Sequence, residues 1–130
     1  MRFIFFFIAA AILASTVAYD QTVKVSGTIS CNRRVARNVL VQLRERDTFD
    51  NDDTLASVYT NDDGTFRLTG TEDEFTSIRP YLRITHTCDV TARDICHKIT
   101  EIEIEKKFVN GEIFNLDIYL DNHKSKETCD

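Results

Sequence analysis

The chain has 130 residues, of which 16 are basic and 21 acidic, giving a formal net charge of −5. An acidic protein is a poor match for the phosphate backbone of DNA or RNA, so we expect no nucleic-acid partner. The length fits a single globular domain behind a short N-terminal segment.

The N-terminal segment, MRFIFFFIAAAILASTVA, has the three-part pattern of a secretory signal peptide. Arg2 supplies the positive charge, residues 3–13 form an unbroken apolar run, and small residues follow as a cleavage site requires. The apolar run is well short of the ~20 residues that a membrane-spanning helix needs. We therefore expect residues 1–18 to be removed and residues 19–130 to form a secreted domain that does not span a membrane.

Seven short segments after residue 20 alternate apolar and polar residues, which is the period-two pattern of half-buried β-strands. In the first segment Val23, Val25 and Ile29 share one face, and Lys24 and Thr28 share the other. The segments are residues 22–31, 38–46, 54–60, 64–70, 78–88, 98–105 and 112–120. Their number and spacing predict an all-β, antiparallel β-sandwich, with a short C-terminal tail from about residue 122.

The acidic stretch at residues 46–70 contains six aspartates and two asparagines and could be mistaken for a calcium loop. A calcium loop registered on Gly64 would end at Gly70, where the EF-hand pattern requires a bidentate glutamate. We therefore expect neither a metal nor another cofactor. The plainer interpretation is two connections, the second a hairpin turn in which Asp63 and Gly64 supply the positive φ angles.

A further short segment, Thr71 to Phe75, begins with capping-box spacing between Thr71 and Glu74, and it predicts one helical turn.

The four cysteines are even in number, and in an exported chain the default state of such cysteines is oxidised. They are Cys31, Cys88, Cys96 and Cys129. Four cysteines allow three pairings, between which the spacing does not choose. A zinc site using the neighbouring histidines is the alternative, but the adjacent Cys96 and His97 point to opposite faces of an extended chain. Disulfides are therefore favoured over zinc.

Several motifs resemble those of the nematode transthyretin-like proteins, which are small secreted proteins with a prealbumin-like sandwich. They are G-x-x-x-C at the end of the first segment, G-x-F-x-L-x-G in the fourth and P-x-L-x-I-x-H-x-C in the fifth. The resemblance covers nearly all of residues 19–130, and it implies a transthyretin-like (prealbumin/Ig-like) sandwich stapled by disulfides. If the strands follow transthyretin, all four cysteines lie at one end of the sandwich. The pairing expected from that arrangement is Cys88–Cys96 and Cys31–Cys129.

Enzymes with this fold hydrolyse hydroxyisourate, and the resemblance implies which residues they need. They carry a histidine on the first strand and a C-terminal Tyr-Arg-Gly-Ser, whereas this chain has no histidine before His86 and ends in KSKETCD. We therefore expect that the chain has no catalytic residues and is not an enzyme. The alternative is a hydroxyisourate-hydrolase-like activity.

The hormone carriers of this fold offer a second comparison. Lys24 matches the lysine at the mouth of the carrier's channel, but the outward face of the last segment is polar, at Asn115, Asp117 and Tyr119. The carrier's eighth strand has no counterpart. A transthyretin-type tetramer is therefore not expected, and the oligomeric state stays open.

Five arginines form the main concentration of positive charge in the chain. Arg33, Arg34 and Arg37 follow the first segment, and Arg44 and Arg46 lie on or after the second. Guanidinium groups match phosphate geometry, so these arginines are candidates for an anionic ligand. The alternative is a solvated loop whose arginines pair with nearby carboxylates.

Some family members are extracellular bridging or signalling proteins, and one recognises phosphatidylserine on dying cells and presents it to an engulfment receptor. The resemblance therefore implies a secreted binding or adaptor protein. Its expected ligand is an anionic lipid head group, a small apolar molecule or a cell-surface receptor.

Overall fold

The computed structural model describes residues 19–49, 51–74 and 78–130, without the side chains of Tyr19 and Glu74. The predicted signal peptide, residues 1–18, lies outside these ranges. In the described part of the chain there are nine strands: β1 (Tyr19–Cys31), β2 (Arg34–Val35), β3 (Leu40–Glu45), β4 (Asp53–Tyr59), β5 (Thr65–Glu74), β6 (Pro80–His86), β7 (Cys96–Glu103), β8 (Phe114–Tyr119) and β9 (Lys126–Cys129). Short 3₁₀ helices span Lys106–Phe108 and Leu120–Asn122.

The strands form two sheets, which confirms the predicted disulfide-stapled β-sandwich. In the first sheet β1 pairs antiparallel with β5 and β2 on one side and parallel with β8 on the other. The second sheet has the order β4-β3-β6-β7-β9, with every pair antiparallel. Seven of the strands match the predicted segments. The two additional strands, β2 and β9, are short and exposed, so they leave no apolar alternation in the sequence.

The core lies between the sheets and is built from the inward residues of the alternating segments. Val23 and Val25 of β1, Leu43 of β3 and Leu82 and Ile84 of β6 are all fully buried. Burying a side chain of this size stabilises the fold by about 1.5–3 kcal/mol. No helix in the described ranges has the length and apolar character needed to cross a bilayer.

The predicted turn at residues 61–64 is present, but its geometry and its role differ from the prediction. Gly64 has φ 79°, and its N–H donates to the Asn61 carbonyl oxygen at 2.9 Å. Asp63 does not have a positive φ. Its carboxylate accepts hydrogen bonds from the hydroxyl (2.6 Å) and the N–H (3.1 Å) of Thr65, and these bonds lower the pKa of Asp63. The turn leads from β4 in the second sheet to β5 in the first, so the hairpin interpretation is wrong.

The predicted helical turn after the fourth segment is also wrong over Thr71–Glu74, which continues β5. Thr71 pairs with Thr22 of β1, and the two hydroxyl oxygens lie 3.0 Å apart. The pairing with the long strand β1 therefore stabilises the extended conformation of this segment more than a single capping box would stabilise a helical turn. Phe75 lies outside the described residues.

The four cysteines are all oxidised, as predicted, but the expected pairing is wrong. The disulfides are Cys31–Cys88 and Cys96–Cys129. The second pair forms because β9 brings Cys129 directly opposite Cys96 on β7. Cys88 follows β6 of the second sheet and bonds to the end of β1, so the first disulfide links the two sheets. Closing loops of 57 and 33 residues stabilises the fold by about 4 kcal/mol each, from chain entropy.

Gly27 lies in the part of β1 that pairs with β8. A Cβ atom at this position would overlap the backbone carbonyl oxygen of Leu116, its register partner on β8. The first residue of the G-x-x-x-C motif is therefore required for β8 to pair with β1.

We predict that Gly27→Ala lowers the free energy of unfolding by about 3 kcal/mol, the upper end of the usual cost of overpacking, because a backbone carbonyl cannot rotate away. Lys24→Ala, at an exposed position of the same strand, should change it by less than about 0.5 kcal/mol. Urea unfolding of both variants tests this. A Gly27→Ala protein as stable as wild type would contradict the packing described.

Candidate anion-binding site

The end of β1 turns back into β2 through a two-residue hairpin loop. Asn32 (φ 50°) and Arg33 (φ 68°) both have positive φ, as a type I′ turn requires. The Asn32 N–H donates to the Asp121 carboxylate at 3.0 Å, and its side-chain amide donates to the Asp89 carboxylate at 2.7 Å. These bonds hold the base of the turn, and Arg33 and Arg34 project from it into solvent.

Three of the five candidate arginines lie near this hairpin. Arg33, Arg34 and Arg37 are all exposed, and none of them forms an ion pair with any residue in the described ranges. We call them the basic hairpin group. Their charges are available to a ligand.

The other two arginines are at the opposite end of β3 and are already engaged. Arg46 donates from Nε to Glu103 at 2.9 Å and from Nη2 to Glu101 at 3.3 Å, and these partners raise its pKa. Its guanidinium carbon lies 3.9 Å from the centre of the Tyr81 ring. Arg44 donates to the Asp52 carbonyl oxygen at 3.0 Å. The structure therefore divides the candidate set into a free group and a structural pair.

The first part of the acidic stretch belongs to the same structural network. The Tyr81 hydroxyl donates to the Asp52 carboxylate at 2.6 Å, and the Asp47 N–H donates to the other oxygen at 3.0 Å. The bond from Tyr81 is the main cause of the lowered pKa of Asp52, and burial raises the pKa of Tyr81 to about 12. These aspartates fasten the β3–β4 connection to β6.

Carboxylates of Glu45, Asp53 and Glu72 come within 4.8 Å of one another, also at this end of the sandwich. Acidic groups often gather in this way without an ion, and we assign no site to them.

Two small pockets adjoin the basic hairpin group, and Arg37 lines both. The first, of about 180 Å³, also contacts Arg93 and the Cys31–Cys88 disulfide. The second, also of about 180 Å³, adds Asn38 and His97. The sequence reasoning did not identify Arg93 or His97 as candidates for this site. β3 and β6 pair with Leu40 opposite Thr85, and β7 pairs with β6, so Arg37 lies beside the loop and strand that carry Arg93 and His97.

His86 lines both pockets but has no free ring nitrogen. Nδ1 accepts the Cys88 N–H at 3.1 Å, so the network assigns the ring proton to Nε2, which donates to the Thr100 hydroxyl at 2.8 Å. The hydroxyl oxygens of Thr100 and Ser125 lie 2.7 Å apart and share a hydrogen bond that either can donate. Burial, together with the charge of Lys98, lowers the pKa of His86 to about 4. The imidazole is therefore neutral at pH 7 and ties β6 to β7 and to the segment before β9.

Comparison with known proteins gives a consistent result. Residues 26–105 match the model of the transthyretin-like family. Transthyretin-like protein 16 of Caenorhabditis elegans is 37% identical over 122 residues, covering 92% of this chain and 92% of that protein. Transthyretin-like protein 5 of the same organism is 35% identical over 111 residues, covering 85% and 79%.

A solved structure of a 9R-lipoxygenase from Cyanothece PCC8801 overlaps 75% of this chain and 16% of its own, at 17% identity and a TM-score of 0.46. That likeness is too distant to bear on fold or function.

The depressed pKa of His86 makes stability depend on pH in a defined direction. An unfolded histidine has a pKa near 6.5, so as pH falls from about 6.5 to 4 the unfolded state gains a proton that folded His86 does not. We predict that the protein loses on the order of 3 kcal/mol of stability across this window.

In His86→Asn, whose carbonyl can accept the Cys88 N–H but cannot titrate, this slope should disappear, even though the variant is less stable at pH 7. His97→Asn should retain the slope. Urea unfolding between pH 6.5 and 4.5 measures all three proteins. A wild-type stability that does not change over this range would contradict the neutral, buried imidazole.

Proposed function

The chain belongs to the transthyretin-like family, and from that premise we propose that it is an exported binding protein whose basic hairpin group recognises an anionic head group. The two disulfides support export, because such bonds persist in oxidising compartments. The observation that carries the proposal is the contrast between Arg46, which is surrounded by acidic partners, and the three exposed arginines of the hairpin group.

The arrangement of charge favours an anionic ligand over an uncharged one. The chain has more acidic than basic residues, so there are enough carboxylates to form an ion pair with every arginine. Three arginines that nevertheless form no ion pair within the described residues are therefore candidates for binding an external anion. An exposed guanidinium keeps all its N–H donors for a ligand, and its planar fork fits phosphate oxygens. A lipid head group and a free phosphate share this chemistry.

The lining of the adjoining pockets disfavours an apolar ligand at this end. Arg37 lines both pockets, Arg93 lines the first, and Thr87 and Asn38 add polar side chains. A charged head group finds hydrogen-bond donors there, whereas an apolar molecule would take the guanidinium groups out of water without a partner. A receptor as the partner is the remaining alternative, and no particular contact favours it.

We predict that the mature protein co-sediments with phosphatidylcholine vesicles containing phosphatidylserine and not with vesicles lacking it. Each arginine near an anionic surface is worth about 1 kcal/mol, so the triple variant of Arg33, Arg34 and Arg37 to Ala should bind about 100-fold more weakly. Binding should also weaken with salt, since the screening length falls from ~8 Å at physiological ionic strength to ~3 Å at 1 M.

A charge-matched control is available elsewhere on the surface. The triple variant of Lys24, Arg67 and Lys106 to Ala removes three exposed positive charges outside the hairpin group. It should retain vesicle binding to within a few-fold. Vesicle binding that is indifferent to salt and equally affected by both triple variants would remove the basic hairpin group from the proposal.

The hydrolase alternative is not part of our proposal. The buried His86 uses both ring nitrogens in hydrogen bonds, and a catalytic base needs one free for the substrate. We predict that the purified protein does not accelerate the decay of hydroxyisourate, followed by ultraviolet absorbance, above the rate in buffer. Turnover that scales with protein concentration would show the enzyme assignment to be correct.

A further inference from the structure

We infer that Arg37 and Arg93 together form a binding site for a phosphate-type oxyanion beside the Cys31–Cys88 disulfide. The inference rests on the proposed function, for which it supplies a defined head-group pocket. It adds Arg93, a residue outside the basic hairpin group, and separates a specific site from the general attraction of the exposed arginines.

The site is where the two small pockets meet. Both are lined by Arg37, Val39, His86 and Thr87, so they form adjoining halves of one surface depression. Arg93 borders the first half. Its Nε donates to the Val90 carbonyl oxygen at 3.4 Å, which orients the side chain and leaves the terminal nitrogens for a ligand.

The lining of this depression is unusual for so acidic a protein. Among the described residues that line either half there is no aspartate or glutamate. By contrast, the pocket beside the 61–64 turn is lined by Asp62 and Asp63, and a pocket on the second sheet is lined by Glu101. Arg37 and Arg93 make no ion pair with a residue of the described ranges. The depression therefore combines two unneutralised guanidinium groups.

The neighbouring polar groups fit the same ligand chemistry. Thr87 and Thr85 offer hydroxyl groups and Asn38 offers an amide, all of which can donate to an oxyanion. Three aspartates, Asp89, Asp94 and Asp121, directly follow lining residues in the sequence. Asn32 engages the carboxylates of Asp89 and Asp121, and Asp94 is exposed to solvent. His86 is neutral and fully hydrogen-bonded, so it contributes shape without charge. Two guanidinium forks can hold a single phosphate from two sides.

The Cys31–Cys88 disulfide adds to the rigidity that the pairing of β3 with β6 gives the site. Cys31 precedes the hairpin loop and Cys88 precedes the loop that carries Arg93, so the Cys31–Cys88 bond joins the two chain segments that the arginines come from. A site whose side chains rest on a covalently fixed frame loses less conformational entropy on binding.

The test is a titration of the protein with O-phospho-L-serine, followed by amide NMR shifts at constant ionic strength set with sodium chloride. We expect shifts confined to Thr87, Cys88 and the surroundings of Arg37 and Arg93. Arg37→Ala and Arg93→Ala should each raise Kd at least tenfold. Arg33→Ala, at the tip of the hairpin, should raise it no more than about threefold, because exposed charges act weakly at a distance.

Two further variants separate the fork geometry from the charge. Arg93→Lys keeps the charge but loses the second donor group, so its Kd should lie between those of wild type and Arg93→Ala. Arg79→Ala removes an exposed arginine beyond the far end of β3 and should leave Kd unchanged. The amide spectrum of each variant reports whether it is folded. Arg93 is exposed, so its loss should not disturb the core.

The outcomes distinguish this inference from the proposed function. Phosphoserine binding that survives Arg93→Ala, or shifts centred elsewhere, would overturn the inference. The inference would also be overturned if the protein bound vesicles through the basic hairpin group but did not bind phosphoserine at millimolar concentration. In that case the proposed function would still hold. Phosphoserine binding lost on Arg37→Ala and Arg93→Ala, in a protein that ignores vesicles, would support the site and identify the ligand as a free phosphate compound.

Discussion

The disulfide between Cys31 and Cys88 is the constraint on which the rest of this end of the molecule depends. It joins the end of β1 in the first sheet to the segment after β6 in the second. Its stabilisation of about 4 kcal/mol is a large share of the 5–15 kcal/mol that hold a typical domain folded. The same bond fixes the base of the type I′ hairpin, whose first loop residue follows Cys31 directly. The N–H of Cys88 also donates to Nδ1 of the His86 ring and so fixes its tautomer.

The distribution of charge along β3 gives the molecule two different ends. Beyond the end of β3, Arg46 is surrounded by Glu101 and Glu103 of β7 and by the Tyr81 ring of β6, so its charge holds the β3–β4 connection against these two strands. Before the start of β3, Arg37 has no acidic partner in the described chain. The arginine beyond one end of β3 is paired and the arginine before the other end is not, and the functional proposal follows from this asymmetry.

The sequence predicts those parts of the structure that leave a local pattern of apolar and polar residues, and it misses the parts that do not. Period-two alternation reports burial, so it located the seven strands that have a buried face and the sandwich that they form. It could not report β9, all four of whose residues are exposed, and the position of Cys129 depends on β9. The expected disulfide pairing failed for that reason.

The candidate site was predicted in part. The spacing of the arginines identified the basic hairpin group, because three basic residues in five positions are visible in any sequence. Whether Arg46 is free depends on Glu101 and Glu103, which lie 55 and 57 residues further along the chain. Arg93 reaches the site because the pairing of β3 with β6 places the loop after β6 beside Arg37. Long-range pairing of this kind leaves no local signal.

The connectivity of the cysteines tests the account most directly, and the chain is well suited to the measurement. Trypsin places each cysteine in a separate peptide, with boundaries at residues 25–33, 84–93, 94–98 and 127–130. Mass spectrometry of an unreduced digest should find residues 25–33 linked to 84–93, and residues 94–98 linked to 127–130. A link between 84–93 and 94–98, or between 25–33 and 127–130, would contradict the account, because the covalent bond between the end of β1 and the segment after β6 would then be absent.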